Sequence, residues 1–144
     1  MKKVSIVINT YNRAYSLQRT LQSLRYLNYK NFEVIVVNGP SDDDTEQVLK
    51  KFSNDIKIEK CPEKNLAVSR NIGIYAAKGD IVAFVDDDAI PEPQWLDAIV
   101  SGFDVSNSDE IGGVGGFVYD YTGANYQFKY IVCDRFGNAE VLLE

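Results

Sequence analysis

The chain has 144 residues, 45% of them apolar, with two cysteines and no histidine, which is enough for one core burying roughly two thirds of the unfolded surface and no second domain. Its net charge of −6 is uneven, about −1 over residues 1–100 and −5 over 101–144; no basic footprint for nucleic acid is visible, and the acidic end reads most simply as a solvated surface. The longest apolar runs, Val34 to Val37 and Ile81 to Val85, fall far short of the ~18 residues of a membrane span, and "MKKVSIVINTYN" lacks a signal-peptide core, so a soluble, cytoplasmic protein is expected, with peripheral attachment to the inner face of a membrane left to parts outside this chain.

"KVSIVIN" is a short β-branched run that predicts a first strand, and the turn-rich "NTYNR" follows it. Leu17, Leu21, Leu24 and Asn28 then fall on one stripe of a helix whose leucines face a sheet. "FEVIVVN" predicts a second strand. After it, "NGPSDDDTEQVLKKF" supplies a Gly-Pro turn, cap-type residues at Ser41 and Asp42, and a second helix ending in Lys50 and Lys51. "DIKIEK" alternates like a half-exposed strand, and "NLAVSRNIGIYAAKGD" is a helix stopped by Gly79. "IVAFV" is the fourth strand. Cys61 and Cys133 have no second cysteine or histidine at metal spacing and are expected to be reduced and structural. Beyond residue 100 the sequence predicts a polar turn, a glycine-bracketed strand in "IGGVGGFVYD" and a tyrosine-rich segment of unsettled structure.

This β-α-β-α-β-α-β order predicts a Rossmann-like three-layer α/β/α sandwich, with the strands ending near Asn9, Asn38 and Val85 parallel and side by side. Such a sheet binds ligands beyond the carboxyl ends of its strands. Three clusters then share one rim: "NTYNR", "NGPSDDD" and "DDDAIP". Out of context, the acids Asp86, Asp87 and Asp88 would be a solvated loop. At the mouth of a parallel sheet their mutual repulsion needs a cation or a hydrogen-bond donor to offset it. Oxygen ligands suit Mg²⁺ or Mn²⁺, which use one or two carboxylates together with substrate phosphates. A metal-diphosphate is the expected ligand.

The segments "VSIVINTYNRAYSLQRTLQSL", "FEVIVVNGPSDDDT" and "NLAVSRNIGIYAAKGDIVAFVDDDAIPEPQWL" resemble, in that order and spacing, the nucleotide-sugar-binding half of family 2 glycosyltransferases of the GT-A fold. The resemblance covers about residues 3–100 and extends to the strand "IGGVGGFVYD". It implies a single GT-A-like domain over 1–144, in which 1–100 is the nucleotide-sugar-binding half and 101–144 an incomplete start of the acceptor side. Carried over from the family's D-x-D aspartates, Asp88 matches the direct metal ligand, with Asp86 beside it. Asp86 and Asp87 match the residues around ribose and pyrophosphate. Thr10, Tyr11 and Arg13, with Asn12, match the segment lining the nucleoside pocket, against the alternative of a plain helix start capped by Asn12. "VVNGPSDDDT" departs from the family's "VVDDGSTDDT": Asn38 and Gly39 replace an aspartate pair. Asn38 can still donate to and accept from a pyrimidine edge. Arg70 matches an arginine aimed at the nucleotide, or makes a surface salt bridge. Trp95 and the tyrosines near 119–130 are candidates for stacking on sugar rings or for packing.

The implied activity is transfer of a sugar from a UDP- or dTDP-type donor to a saccharide or other hydroxyl acceptor, with Mn²⁺ or Mg²⁺ and inversion at the anomeric carbon. Inversion needs a carboxylate base, which in the family lies beyond the equivalent of Glu144. Asp120, Asp134 and Glu140 carry no motif for that role. The chain is therefore expected to be an incomplete transferase, its sheet cut short on the C-terminal side. The alternative is a catalytically silent nucleotide-binding or interaction module. A phosphatase would want its D-x-D after the first strand and a downstream lysine, where Lys129 alone remains. "GGVGGFV" lacks the third glycine and the following helix of a nicotinamide site.

Overall fold

A computed structural model of the chain describes residues 1–104, 111–120, 122–128, 131–133 and 139–141. Four strands, β1 (Val4–Thr10), β2 (Phe32–Asn38), β3 (Lys57–Lys60) and β4 (Ile81–Phe84), form one sheet in the order β3-β2-β1-β4. All three pairings are parallel, with Val4 opposite Phe32 on one side and Ile81 on the other. β1 and β2 are central, and their β-branched side chains are buried on both faces, as an unbroken apolar strand requires. β3 is an edge strand, and its lysines and glutamate keep it largely exposed.

The pleat divides these side chains between two layers. Val7, Ile35, Val37 and Cys61 face α3 (Leu66–Ala76), where Val68, Ile72 and Ala76 cover them. Gly73 allows that close approach, since a Cβ there would come within 2.4 Å of a Val7 methyl carbon. Alternation sends Ile6, Ile8, Val34 and Val36 the other way, beneath α1 (Ala14–Ser23) and α2 (Thr45–Lys51), which pack on each other and bury Leu17, Leu21, Val48 and Leu49. Each such side chain contributes about 1.5–3 kcal/mol relative to leaving it in water. The result is the expected three-layer α/β sandwich, with the three predicted strands adjacent and parallel.

Differences from the sequence-based expectation fall at element ends. The first helix tightens into a 3₁₀ turn at Leu24–Tyr26, so Leu27, not Asn28, enters the core; Asn28 is exposed, and its N–H donates to the Pro93 carbonyl at 2.8 Å. α2 begins at Thr45, after the proposed caps Ser41 and Asp42. α3 ends three residues before Gly79, where an added Cβ would lie 2.7 Å from the Lys3 carbonyl oxygen and the Ser5 nitrogen, so the missing Cβ instead lets the chain pass close to the start of β1. A fourth helix, α4 (Trp95–Phe103), follows "PEP" and was not expected; it buries Leu96, and Trp95 is half-buried at its first turn. Cys61 is a buried core residue, as expected; the side chain of Cys133 lies outside the described residues.

The chain divides into two compact units, Met1–Ser101 and Gly102–Glu144. In the second, β5 (Val118–Tyr119) pairs antiparallel with β6 (Tyr126–Phe128), and β7 (Ile131–Cys133) with β8 (Ala139–Val141). The expected glycine-bracketed strand shortens to β5, because residues 111–117, which hold all four glycines, are irregular. Among the described residues no helix is long and apolar enough to cross a membrane.

Candidate functional site

β1 has β2 on one side and β4, added later in the chain, on the other. The strand order reverses there, and a crevice opens beyond the carboxyl ends of the two strands. A cleft of about 480 Å³ occupies that position. Asn9, Thr10, Tyr11 and Arg13 line it from the end of β1, Asp86, Asp87 and Asp88 from the loop after β4, and Lys64, Asn65 and Ser69 from the start of α3.

The three adjacent aspartates have different surroundings. Asp87 is only 8% exposed, and its Oδ2 accepts a hydrogen bond from the Thr10 hydroxyl at 2.7 Å. Burial pushes its carboxyl above the usual aspartate range, with Asp88 and Asp86 adding to the rise, against Thr10 and the Arg13 charge. Asp88 is exposed and pairs with the Arg13 guanidinium at 2.9 Å. Asp86 is exposed on the cleft wall. Thr20, fully buried on α1, directs its hydroxyl at the carbonyls of Asp87 (3.0 Å) and Ala89 (2.9 Å) and so ties the triplet's backbone to the helix. Thr10 thus supplies the triplet with a hydrogen-bond donor and Arg13 with a positive charge.

The other acidic triplet does a different task. Asn12 has φ of +53°, which asparagine tolerates; its side chain donates to Asp42 at 2.5 Å and accepts from the Asp42 N–H at 2.9 Å. Asn12 therefore closes the turn and does not cap α1. That role falls to Asp43, which accepts from the Ala14 N–H at 3.0 Å while also accepting from the Thr45 N–H and hydroxyl. Burial raises the Asp43 carboxyl, but these hydrogen bonds, led by the Thr45 hydroxyl, outweigh it and hold it below the usual range.

Of the residues singled out from sequence, Thr10, Tyr11, Arg13, Asp86, Asp87 and Asp88 meet in one cleft. Asn38 lines an adjoining hollow of about 370 Å³ that shares Gly39 with the cleft. It is buried, and its Oδ1 accepts from the Ser41 hydroxyl at 2.8 Å. Arg70 is not among the cleft-lining residues; its guanidinium lies over the Phe84 ring at 5.7 Å. Tyr119 is exposed in the second unit; Tyr121, Tyr130, Asp134 and the side chains of Tyr126 and Glu140 lie outside the described residues. Sequence reasoning missed Thr20, Lys64 and Asn65. Asn65 was legible as a cap before an apolar run, and it accepts from the Ala67 and Val68 N–H groups at 3.1 and 3.2 Å. No local pattern marked Thr20.

The donor set can be tested against a divalent ion. Among the described residues no group of three or more His, Cys, Asp or Glu side chains could hold a metal unaided. Asp86 and Asp88, exposed on either side of buried Asp87, offer hard oxygen donors to an ion that completes its shell with phosphate oxygens and water, the habit of Mg²⁺ and Mn²⁺. The Arg13–Asp88 pair lies across that arrangement. Because both side chains are about half exposed, the pair is worth about 0–1 kcal/mol and opens at little cost.

The sequence profile of glycosyl transferase family 2 matches residues 5–136. Glycosyltransferase AglE of Haloferax volcanii is 35% identical over 127 residues, covering 83% of this chain and 41% of its own length. The crystal structure of S. aureus TarS 1–349 in complex with UDP superposes with a TM-score of 0.63 at 29% identity, over 71% of this chain and 32% of that one. Mannosyltransferase PcManGT from Pyrobaculum calidifontis, in complex with GDP-Man and Mn²⁺, superposes with a TM-score of 0.65 at 25% identity, over 72% and 33% of the two chains. The chain thus spans less than half the length of each of these proteins. With the matched region covering most of its residues and the cleft at the switch point of its sheet, the chain belongs to glycosyl transferase family 2.

Proposed function

We propose that residues 1–100 are the donor-binding half of a metal-dependent, inverting glycosyltransferase that uses a UDP- or dTDP-type sugar and a saccharide or other hydroxyl acceptor. Residues 101–144 would begin the acceptor side. The observation that carries this reading is the division of the triplet: one buried carboxylate pinned by Thr10 holds the loop, and two exposed ones face the cleft. TarS crystallised with UDP and PcManGT with GDP-Man and Mn²⁺ support a nucleotide donor and a divalent ion.

Asp86 and Asp88 would hold the ion, which when bound neutralises charge on the departing diphosphate. Arg13, once released from Asp88, faces the phosphates. Thr10 and Tyr11 border the nucleoside, and Asn38 stands at the adjoining hollow to meet a base edge. Arg70 reaches the nucleotide only after leaving Phe84. The base that deprotonates the acceptor is assigned to none of these residues.

Calorimetric titration of the chain with UDP, dTDP and GDP, with Mn²⁺ and then in EDTA, tests the proposal. The expected result is binding of a pyrimidine diphosphate that weakens when the metal is removed. Equal affinity in EDTA removes the metal from the site, and absence of binding by both pyrimidine diphosphates overturns the donor assignment.

A further inference from the structure

Lys64 lies on the connection from β3 to α3, lines the cleft, and holds its ammonium nitrogen 4.7 Å from the centroid of the Tyr11 ring. Its backbone is fixed on both sides: the Asn65 N–H donates to the Glu63 carbonyl at 2.9 Å, and the Asn65 side chain caps α3. The side chain itself is exposed and mobile through four bonds.

The charge of the cleft gives that position a consequence. Its wall carries Glu63, Asp86, Asp87 and Asp88 against two cations, Arg13 and Lys64. A diphosphate entering so acidic a wall needs every available positive charge. Arg13 is engaged by Asp88, whereas Lys64 rests on a π face, an exposed contact weaker than a charge-assisted hydrogen bond to a phosphate oxygen. The Gly39 backbone borders the Tyr11 ring so closely that a Cβ there would lie 3.2 Å from Cδ2. A nucleobase stacking on the ring would compete with the ammonium for its place.

We propose that Lys64 is a diphosphate-binding residue: in the free protein its ammonium covers Tyr11, and when a nucleoside diphosphate enters, the base takes the ring and the ammonium moves to the phosphate oxygens. This rests on the reading of the cleft as a nucleoside-diphosphate site. It adds a cation that the sequence motifs do not mark, and makes Lys64 a keeper of the empty site as well as a ligand of the filled one. Lys64→Gln and Lys64→Arg are titrated beside the wild type with uridine and with UDP, in Mn²⁺ buffer, at low and high salt. Lys64→Gln should weaken UDP by about tenfold or more, the scale of a lost hydrogen bond to a charged group, leave uridine unchanged or tighten it by up to about fivefold as the ring loses its competing ammonium, and flatten the salt dependence of UDP binding. Lys64→Arg should restore most of the loss. Unchanged UDP affinity in Lys64→Gln overturns the proposal, as does equal weakening of uridine and UDP, which would confine Lys64 to the ring. A wild-type chain that binds no UDP refutes the donor site itself, a failure seen before any variant is compared.

Discussion

Thr20→Val removes one hydroxyl and almost nothing else. The side chain is fully buried on α1, valine has the same branching, and no cavity forms. What is lost is the donor shared by the Asp87 and Ala89 carbonyls at 3.0 and 2.9 Å. Because a single proton serves both acceptors, the loss is counted once, and leaving a buried acceptor unsatisfied costs about 1–3 kcal/mol. With a urea m-value of about 1–3 kcal/mol/M, a cost of about 2 kcal/mol lowers the unfolding midpoint by about 1 M. The m-value should stay constant, since the surface exposed on unfolding is the same.

The same change should reach the site. The two carbonyls flank Asp88, so a loop released from α1 loses the placement of the carboxylate that pairs with Arg13, and the affinity for Mn²⁺ plus UDP should fall with stability. Thr20→Ser keeps the hydroxyl and loses a methyl group; it should cost less and leave binding close to wild type. If Thr20→Val unfolds at the wild-type midpoint, or if Thr20→Ser is as damaging as Thr20→Val, the hydroxyl does not hold the loop and the reasoning fails.

Two further outcomes are expected. Arg13→Gln removes an exposed ion pair, so stability should change by less than about 1 kcal/mol; Mn²⁺ alone, freed of a competing cation at Asp88, should bind more tightly while UDP binds more weakly, and a weaker Mn²⁺ titration by electron paramagnetic resonance would contradict the Arg13–Asp88 competition. Asp87→Asn tests the buried carboxyl: its pKa is raised above the unfolded value of about 3.9, so its contribution to stability is present below about pH 4 and is lost as pH rises through the folded pKa. The stability of Asp87→Asn relative to wild type should therefore increase from about pH 4 upward in urea melts, and a pH-independent difference would refute the burial argument. Asp43 and Glu33, whose carboxyls are lowered, lose stability in the opposite direction as pH falls, but they are common to both proteins and cancel.

The sheet was legible because its strands are dictated locally. "VSIVIN", "FEVIVVN" and "IVAFV" are β-branched runs with helix signals after them, and a parallel sheet buried on both faces is their one common solution. The position of the cleft followed from the strand ends. The fate of each side chain in it did not, because that depends on partners far away in sequence. Thr10 and Thr20 lie 77 and 67 residues from the aspartate they hold, and no spacing rule links them. Arg13 could be named as a site residue but not matched to Asp88, and Arg70 could not be seen to lie on Phe84. α4 was missed because no element was assigned between "IVAFV" and residue 100, although a proline just ahead of an amphipathic stretch fits the start of a helix.

The two acidic triplets show why composition alone could not separate structure from site. Asp42, Asp43 and Asp44 and Asp86, Asp87 and Asp88 follow parallel strands on the same rim and are identical as strings. What divides them is the supply of donors. Asp43 accepts from two backbone N–H groups and a hydroxyl, Asp42 from Asn12, and Asp44 from the Gln47 amide at 2.8 Å. To take a metal Asp43 would surrender three hydrogen bonds, and Asp42 and Asp44 one each. In the later triplet the fixed donor, Thr10, goes to the central, buried residue. Asp88 is left with an exposed partner that a cation can displace at little cost. On the proposed reading, an acidic run serves as a ligand site where the fold buries and fixes only its central residue and leaves Asp88 with a displaceable partner, and as a structural joint where every carboxylate accepts a hydrogen bond from the fold.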